Sequence, residues 1–407
     1  CGPAGTLCRR HCRQYGLRTL WPGPLGVVEA APRQRFLVIS NGHGEDWIAS
    51  AIAKHLTDRF LVEAWPALGG GNAYAGICPI VGPRARLESG GARTAKGSLR
   101  RDLAKGGLAT IPPALRYMRS IRNRYDRILV VGDAIVPLLA WITGHRGLYY
   151  VDCYKTGAAR LYSSLERHVI SRTCRRVFCR ADNLAEILRQ VGVEATAPGN
   201  LMMDTIPYGD YDAQSRRSQP LAVTLLPGSR GETPANFARQ VDALRRLPAE
   251  HRPDAFLAVA GEIPVSDLAE ASGLQRTNLL SAEGDDLGSL SDGNVTVHLL
   301  RGRAMGNVLA VSDIVLSQAG TATTQALGLG KPVIYMTSPK DRQSRFEDEQ
   351  RLYGEARIAV PGEAGAIAKA LERLIDSPDE RARLGAIGRD RIGGPGAIDE
   401  VLAALGA

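Results

Sequence analysis

Ser317-Gln318-Ala319-Gly320-Thr321-Ala322-Thr323-Thr324-Gln325-Ala326 follows a short apolar run, Asp313 to Leu316, and leads straight into a helical stretch, Ala319 to Gly328. Small residues at such a junction let an anion approach the unpaired amides at the head of the helix. The helix dipole favours negative charge there, and Ser and Thr hydroxyls add donors. The same string also reads as a tight turn with Thr caps. A second junction of this kind is Leu226-Pro227-Gly228-Ser229-Arg230-Gly231-Glu232, between the apolar run Leu221 to Leu226 and the helical stretch Pro234 to Arg246. Arg230 offers a charge-assisted fork to a diphosphate, or Ser229 caps the helix and Arg230 faces solvent. Both junctions fall on one edge of one predicted sheet, and in doubly wound sheets ligands sit beyond the carboxyl ends of the strands.

The strand, Gly-rich turn, helix unit recurs along the chain. Arg35 to Ser40 is apolar and ends in Asn41-Gly42-His43-Gly44-Glu45-Asp46, after which Ile48, Ile52 and Leu56 have helical spacing. Further strands are predicted at Phe60 to Trp65, Arg127 to Val131, Gly147 to Val151 and Arg176 to Cys179, then at Ala255 to Ala260, Val295 to Leu299 and Pro332 to Met336. Strands alternating with helices imply α/β architecture with parallel sheets covered on both faces. The polar stretch 210–219 lacks apolar periodicity and is the expected linker between an N-terminal Rossmann-like domain, 35–209, and a C-terminal one, 220–407, that face one cleft. A third loop, Val131-Gly132-Asp133-Ala134, would place Asp133 in that cleft from the opposite side. A carboxylate there can act as a general base or cap the helix Ala134 to Ile142, and spacing alone does not choose.

Composition narrows the partners. The 407 residues are 44% hydrophobic and 23% charged, as in a globular protein of more than one domain. The longest apolar stretch, Ala134 to Ile142, is interrupted by Pro137 and is too short to span a bilayer. A formal charge of +9 points to an anionic partner, and basic residues concentrate between Arg84 and Arg127. That block reads either as a solvated face or as a surface for anionic lipid. Nothing resembles a nucleic-acid-binding signature. Seven cysteines suit reduced thiols in a cytoplasmic protein, peripheral to the membrane's inner face, and neither Cys8, His11 and Cys12 nor Cys174 and Cys179 form a metal set. Residues 1–34 show no clear element and are an extension of unclear status.

Taken as a set, LLPGSRGE at Leu225 to Glu232, GTAT at Gly320 to Thr323 and GDAIVPLLA at Gly132 to Ala140 resemble motifs of the lipid-A-disaccharide synthases. SNGHGED at Ser40 to Asp46, PGNLMMD at Pro198 to Asp204 and SQAGTATTQALGLGKPVIYM at Ser317 to Met336 are similar to a divergent, synthase-related branch. The resemblance implies the GT-B architecture and inverting transfer of a sugar from a UDP-sugar to a lipid-linked or glycolipid acceptor, with no metal or cofactor. It implies a donor side made by Gly228, Ser229, Arg230, Glu232, Gly320, Thr321, Ala322, Thr323 and Gln325. Asp133 would be the base, His43 would join it, and Asn41, Gly42 and Gly44 would line the acceptor side. The chain departs from the parent pattern at Thr324-Gln325, where the family has a Glu, and at His43, which also reads as a buried, satisfied histidine. A non-hydrolysing UDP-sugar 2-epimerase and a catalytically silent UDP-sugar or lipid-binding protein are the alternatives.

Overall fold

The computed structural model describes residues 33–85, 107–229, 231–260, 263–277, 284–339 and 341–407, with only the backbone of His43 and of 107–108. Gln34–Ala407 form one compact unit. Residues 1–32 of the N-terminal extension, half of the basic residues of the block and Arg230 lie outside the described residues.

The first half is built on β1 (Arg35–Ser40), β2 (Leu61–Pro66), β3 (Arg127–Gly132), β4 (Leu148–Asp152), β5 (Cys174–Phe178) and β6 (Glu194–Thr196). They form an all-parallel sheet in the order β2-β1-β3-β4-β5-β6. Its helices are α1 (His43–Leu56), α2 (Ile111–Ser120), α3 (Ile135–Thr143), α4 (Ser164–Thr173) and α5 (Asp182–Arg189). The continuous apolar run of β1 is what a strand covered on both faces requires. Phe36 and Val38 enter one core layer with Ile48 and Ile52 of α1, while Leu37 and Ile39 enter the layer on the other face with Val136 and Ala140 of α3. Each such fully buried side chain contributes about 1.5–3 kcal/mol relative to exposure.

The second half contains β7 (Ala222–Leu226), α6 (Thr233–Arg245), β8 (Asp254–Val259), α7 (Val265–Ser272), β9 (Gln275–Thr277), β10 (Asp286–Ser291), β11 (Thr296–Arg301), α8 (Met305–Val311) and β12 (Ile314–Ser317). It continues with α9 (Thr321–Gly328), β13 (Val333–Thr337), α10 (Gln343–Tyr353), β14 (Arg357–Pro361), α11 (Ala364–Asp376) and α12 (Pro378–Ile392), and α13 (Ala397–Leu405) ends the chain. The sheet order is β14-β13-β12-β7-β8-β11-β10-β9. It is parallel from β14 to β11 and then turns antiparallel at β10 and β9, a correction to the all-parallel expectation. Ser291 and Thr296 flank the short turn that makes β10 and β11 a hairpin.

Two corrections concern the domain boundary. The chain crosses between halves at 201–206, where Leu201 packs in the first core and Met203 and Ile206 in the second. The expected linker belongs to the second half: Tyr211 and Ala213 pack against Phe256, and Asp254 receives the Ser218 and Gln219 amides at 2.7 Å. The last helix, assigned by sequence to the second half, completes the first core with Ala397, Ile398, Val401, Leu402 and Leu405. Asp204 ties the two crossings together by accepting the amides of Gly396 and Ile398 (2.5 and 2.9 Å).

Candidate active site

β1 and β3 are neighbours in register, so the residues just past their carboxyl ends, Asn41 and Asp133, meet. Asp133 Oδ1 accepts Asn41 Nδ2 at 2.5 Å and the Ile135 amide at 2.9 Å, and the Asp133 amide is donated to Asn41 Oδ1 at 3.2 Å. Ala134 is the N-cap of α3, so Asp133 lies one residue before the expected capping position and accepts only the first helical amide through one oxygen, while no described residue bonds Oδ2. Gly132 makes the arrangement possible: its φ is +153°, and a Cβ there would collide with Asn41 Oδ1.

The rest of the first loop divides by packing. Gly42 is extended and buried, and the Glu45 carboxylate folds back over it so that a Cβ would clash. Gly44 has open space beside it. His43 opens α1, and its side chain is outside the described set. Buried Asp46 accepts Ser40 Oγ at 2.5 Å, which also meets Tyr74 OH at 2.7 Å, so this carboxylate anchors the loop.

A small cavity beyond the carboxyl ends of β4 and β5 is lined by Ile48, Asp152, Cys153 and Arg180, which the motifs did not single out, together with Asn200, Leu201 and Met202 of PGNLMMD. Burial pushes the Cys153 thiol well up, and the carboxylates of Glu45, Asp152 and Asp133 push it further while Arg180 opposes them. Glu45, Asp133 and Arg180 are thus close enough to share one electrostatic environment. Asp152 is raised by burial but receives the Tyr154 and Lys155 amides and the Tyr162 hydroxyl, a satisfied structural set. Asn200 Oδ1 accepts the Met202 amide at 3.2 Å, whereas its buried Nδ2 has no partner among the described residues. An unsatisfied buried donor costs about 1–3 kcal/mol, so Nδ2 is a position where a water or substrate hydroxyl would be welcome.

On the second half, β7 and β12 are also neighbours, and the Gln318 amide is donated to Leu226 O at 2.7 Å. The Gly228 and Gly320 loops consequently lie side by side. Gly228 has φ +108°, which excludes a side chain without strain, and Asn236 Nδ2 pins the loop by donating to Pro227 O at 3.0 Å. Ser229 is exposed, and Glu232 is exposed at the head of α6. At α9 no side chain caps the helix, Thr321 is exposed and Ala322 half-buried, leaving their amides facing the loop.

Two of the expected donor-side residues point elsewhere. Thr323 Oγ1 is buried, donating to Ala319 O and meeting Ser317 Oγ (both 2.6 Å). Gln325 is buried, and its Nε2 donates to Met202 O at 2.8 Å, so its amide holds the crossing segment. These hydroxyl and amide groups suit a ligand by type, but packing has turned them inward.

Arg345 of α10 was not singled out from sequence. Its Nη2 lies 3.7 Å from where a Gly320 Cβ would be, beside the head of α9. Its Nε donates to Glu349 at 2.6 Å, and Glu349 also holds Arg357 at 2.9 Å. Arg357 is enclosed by Tyr335, Phe346 and Tyr353. One carboxylate shared between two guanidinium groups leaves positive charge uncompensated within this trio, next to uncapped helix amides. Across the cleft, Arg160 Nε bonds Asp348 Oδ2 at 3.2 Å, joining the loop after β4 to the same helix.

The candidate groups are thus the Asp133 carboxylate, past the carboxyl end of β3 in the first sheet, and the Gly228 and Gly320 loops, past the carboxyl ends of β7 and β12 in the second. No family model matches the chain. Among curated proteins it is similar to the lipid-A-disaccharide synthase of Solibacter usitatus, 25% identical over 268 residues, or 61% of this chain and 63% of that protein. It is also similar to the lipid-A-disaccharide synthase of Xanthomonas axonopodis pv. citri, 25% identical over 256 residues, covering 58% of this chain and 55% of that protein. The chain therefore matches less than two thirds of either relative. Among solved structures, a UDP-glucosyltransferase from Polygonum tinctorium aligns with TM-score 0.59 at 12% identity, covering 92% of this chain and 98% of that one. UDP-GlcNAc 2-epimerase from Neisseria meningitidis, bound to UDP-GlcNAc, aligns with TM-score 0.53 at 13% identity, covering 91% and 99%. These structures share the fold alone, two Rossmann-like domains in the GT-B arrangement, and in sequence the chain is distantly similar to two lipid-A-disaccharide synthases.

Proposed function

We propose that the protein transfers a glycosyl group from a UDP-sugar to a lipid-linked or glycolipid acceptor with inversion at the anomeric carbon. The observation that carries the reading is the Asp133 carboxylate, clamped through Oδ1 by Asn41 and Ile135 while Oδ2 has no bond from the described residues. On this reading Oδ2 removes the acceptor hydroxyl proton as that oxygen attacks the anomeric carbon. The bond to the diphosphate breaks and UDP departs with the electron pair. Negative charge growing on UDP would be met by the amides of Thr321 and Ala322, by Arg345 and by Arg230, all stronger partners in the transition state than in the ground state. UDP-sugar is the co-substrate, and no metal or cofactor takes part in the proposed step. The protein would act at a membrane surface, where its acceptor resides.

The likeness of sequence to the two synthases supports transfer, whereas the shared fold covers transferases and epimerases alike. UDP release from a panel of acylated and unacylated UDP-sugars, with and without membrane lipid extract, separates the readings. Release should require lipid and fall by about 10²–10⁴ in Asp133→Asn, with UDP binding retained. Conversion of the donor without any acceptor would favour an epimerase, and UDP binding without consumption of any donor would favour a silent binding protein.

A further inference from the structure

We propose that the outward face of α3 is a docking surface for an anionic lipid bilayer. The helix reads IVPLLAWIT and carries no charged side chain. Its inner face, Val136, Pro137, Ala140 and Thr143, is buried against the sheet. Its outer face is equally apolar yet exposed: Ile135 is 46%, Trp141 43% and Ile142 49% accessible. A helix that is hydrophobic all round belongs in a core or against lipid, and this one has a core on only one side. The flanking helices extend the apolar surface, with Ile111 exposed at the head of α2 and Leu165 at the head of α4.

Charge decides the occupant. Exposed arginines border the stripe: Arg116, Arg119 and Arg122 on and just after α2, Arg146 after α3 and Arg172 on α4. Arg122 reaches Gly144 O, and Arg146 reaches Arg172 O, which sets both guanidinium groups at the far end of α3. Helices α2 and α3 contain no acidic residue, and Glu166, the only one in α4, is engaged by Lys155 at 2.8 Å. An apolar centre with a Trp, rimmed by charges of one sign, complements the headgroup and upper acyl region of an anionic leaflet. No described helix is long and apolar enough to cross a membrane, so contact at this face would be peripheral. The sequence offered the basic block, with apolar residues such as Ile111 and Met118 between its charges, as a surface for anionic lipid; Ile111 is exposed, Met118 is buried, and α3 adds apolar surface that the sequence reading did not assign.

The surface also has a direction. α3 begins two residues after Asp133, whose carboxylate accepts its first amide, so docking would bring the proposed base to the plane where a lipid-linked hydroxyl lies. This consequence rests on the proposed transfer, but the binding itself does not, and the test contains neither donor nor acceptor.

Flotation with vesicles of phosphatidylcholine plus about 30% phosphatidylglycerol, against phosphatidylcholine alone, compares the full chain with the double variant Trp141→Glu, Ile142→Glu. The wild type should float with the anionic vesicles and lose binding as salt rises. The variant should bind at least about tenfold more weakly, since it removes two apolar anchors and adds like charge to the lipid, while its melting temperature and UDP affinity stay unchanged. Equal flotation of variant and wild type would overturn the proposal, as would wild-type binding to both vesicle types without salt dependence. Absence of wild-type flotation would also overturn it, and if the variant then abolished self-association in sedimentation, the face would be a protein interface. UDP release with a detergent-solubilised acceptor tests the transfer separately.

Discussion

Introducing a glutamate in the helix after GTAT, where the lipid-A-disaccharide synthase pattern has one, by Gln325→Glu should damage this protein rather than improve it. Gln325 is buried, and its Nε2 donates to Met202 O at 2.8 Å, in the segment where the chain crosses between halves. An ionised glutamate has no donor to offer, so it would set a carboxylate oxygen against a carbonyl oxygen with little solvent to screen them. Protonated, it could replace the lost donor with its O–H. Burial beside a carbonyl would raise its pKa above the unfolded value of roughly 4.3, and the ionised form, leaving a buried acceptor unpaired, would cost about 3 kcal/mol at neutral pH. The sign is fixed by linkage. A raised folded-state pKa gives stability that is fully present below about pH 4.3 and is lost as pH rises through the higher folded value. The variant should therefore melt close to wild type at about pH 4.5 and some 6–12 °C below it at pH 8. Scanning calorimetry of both proteins across that range measures the gap. A gap that is absent, or that narrows as pH rises, would refute the inward orientation and put residue 325 back in the cleft.

Arg345→Ala should weaken UDP binding by about tenfold or more, the scale of one hydrogen bond to a charged group, with little change in melting because Glu349 keeps Arg357. Titration calorimetry reads this directly, and unchanged affinity would remove Arg345 from the donor side. Gly132→Ala must adopt φ near +153° and push Asn41 aside, so turnover should fall as far as in Asp133→Asn while circular dichroism stays native. Ala at Gly147, which is also left-handed (φ +75°) but has open space and precedes the amino end of β4, is the matched control and should leave turnover at the wild-type level.

The parts of the fold legible in the sequence are those encoded locally. An apolar run such as Phe36–Ile39, small residues, and then apolar spacing of three to four residues give a strand, loop and helix without reference to anything distant. β10 escaped notice because DLGSLS alternates weakly and pairs antiparallel at a sheet end where one face is polar. The crossing at 201–206 hid within an apolar motif, since Leu201 and Met203 read alike although each enters a different core. The stretch 210–219 looked like a linker because its polar residues are capped by Asp254, a contact 36 residues away from Ser218. At the site, residue type was an incomplete guide. Thr323 and Gln325 have suitable chemistry but bond inward, whereas Arg345 reaches Gly320 only because β13 and α10 fold it back. Asn200 carried no local signal for an unpaired donor.

The return of α13 to the first half has a consequence for how the chain is made. During synthesis the first half emerges complete in sequence except for its final helix, which follows the whole of the second half. Until then the layer containing Phe36, Ile48 and Ile52 lacks the cover of Ile398, Val401, Leu402 and Leu405. An apolar surface of that kind, exposed while nearly two hundred residues are translated at about 5–20 residues per second, is a surface for chaperones and for misassembly. Only when α13 arrives, and Asp204 receives the Gly396 and Ile398 amides, can the first half close. The half that carries the proposed base thus needs, to cover its core, the helix that is translated after the whole of the other half.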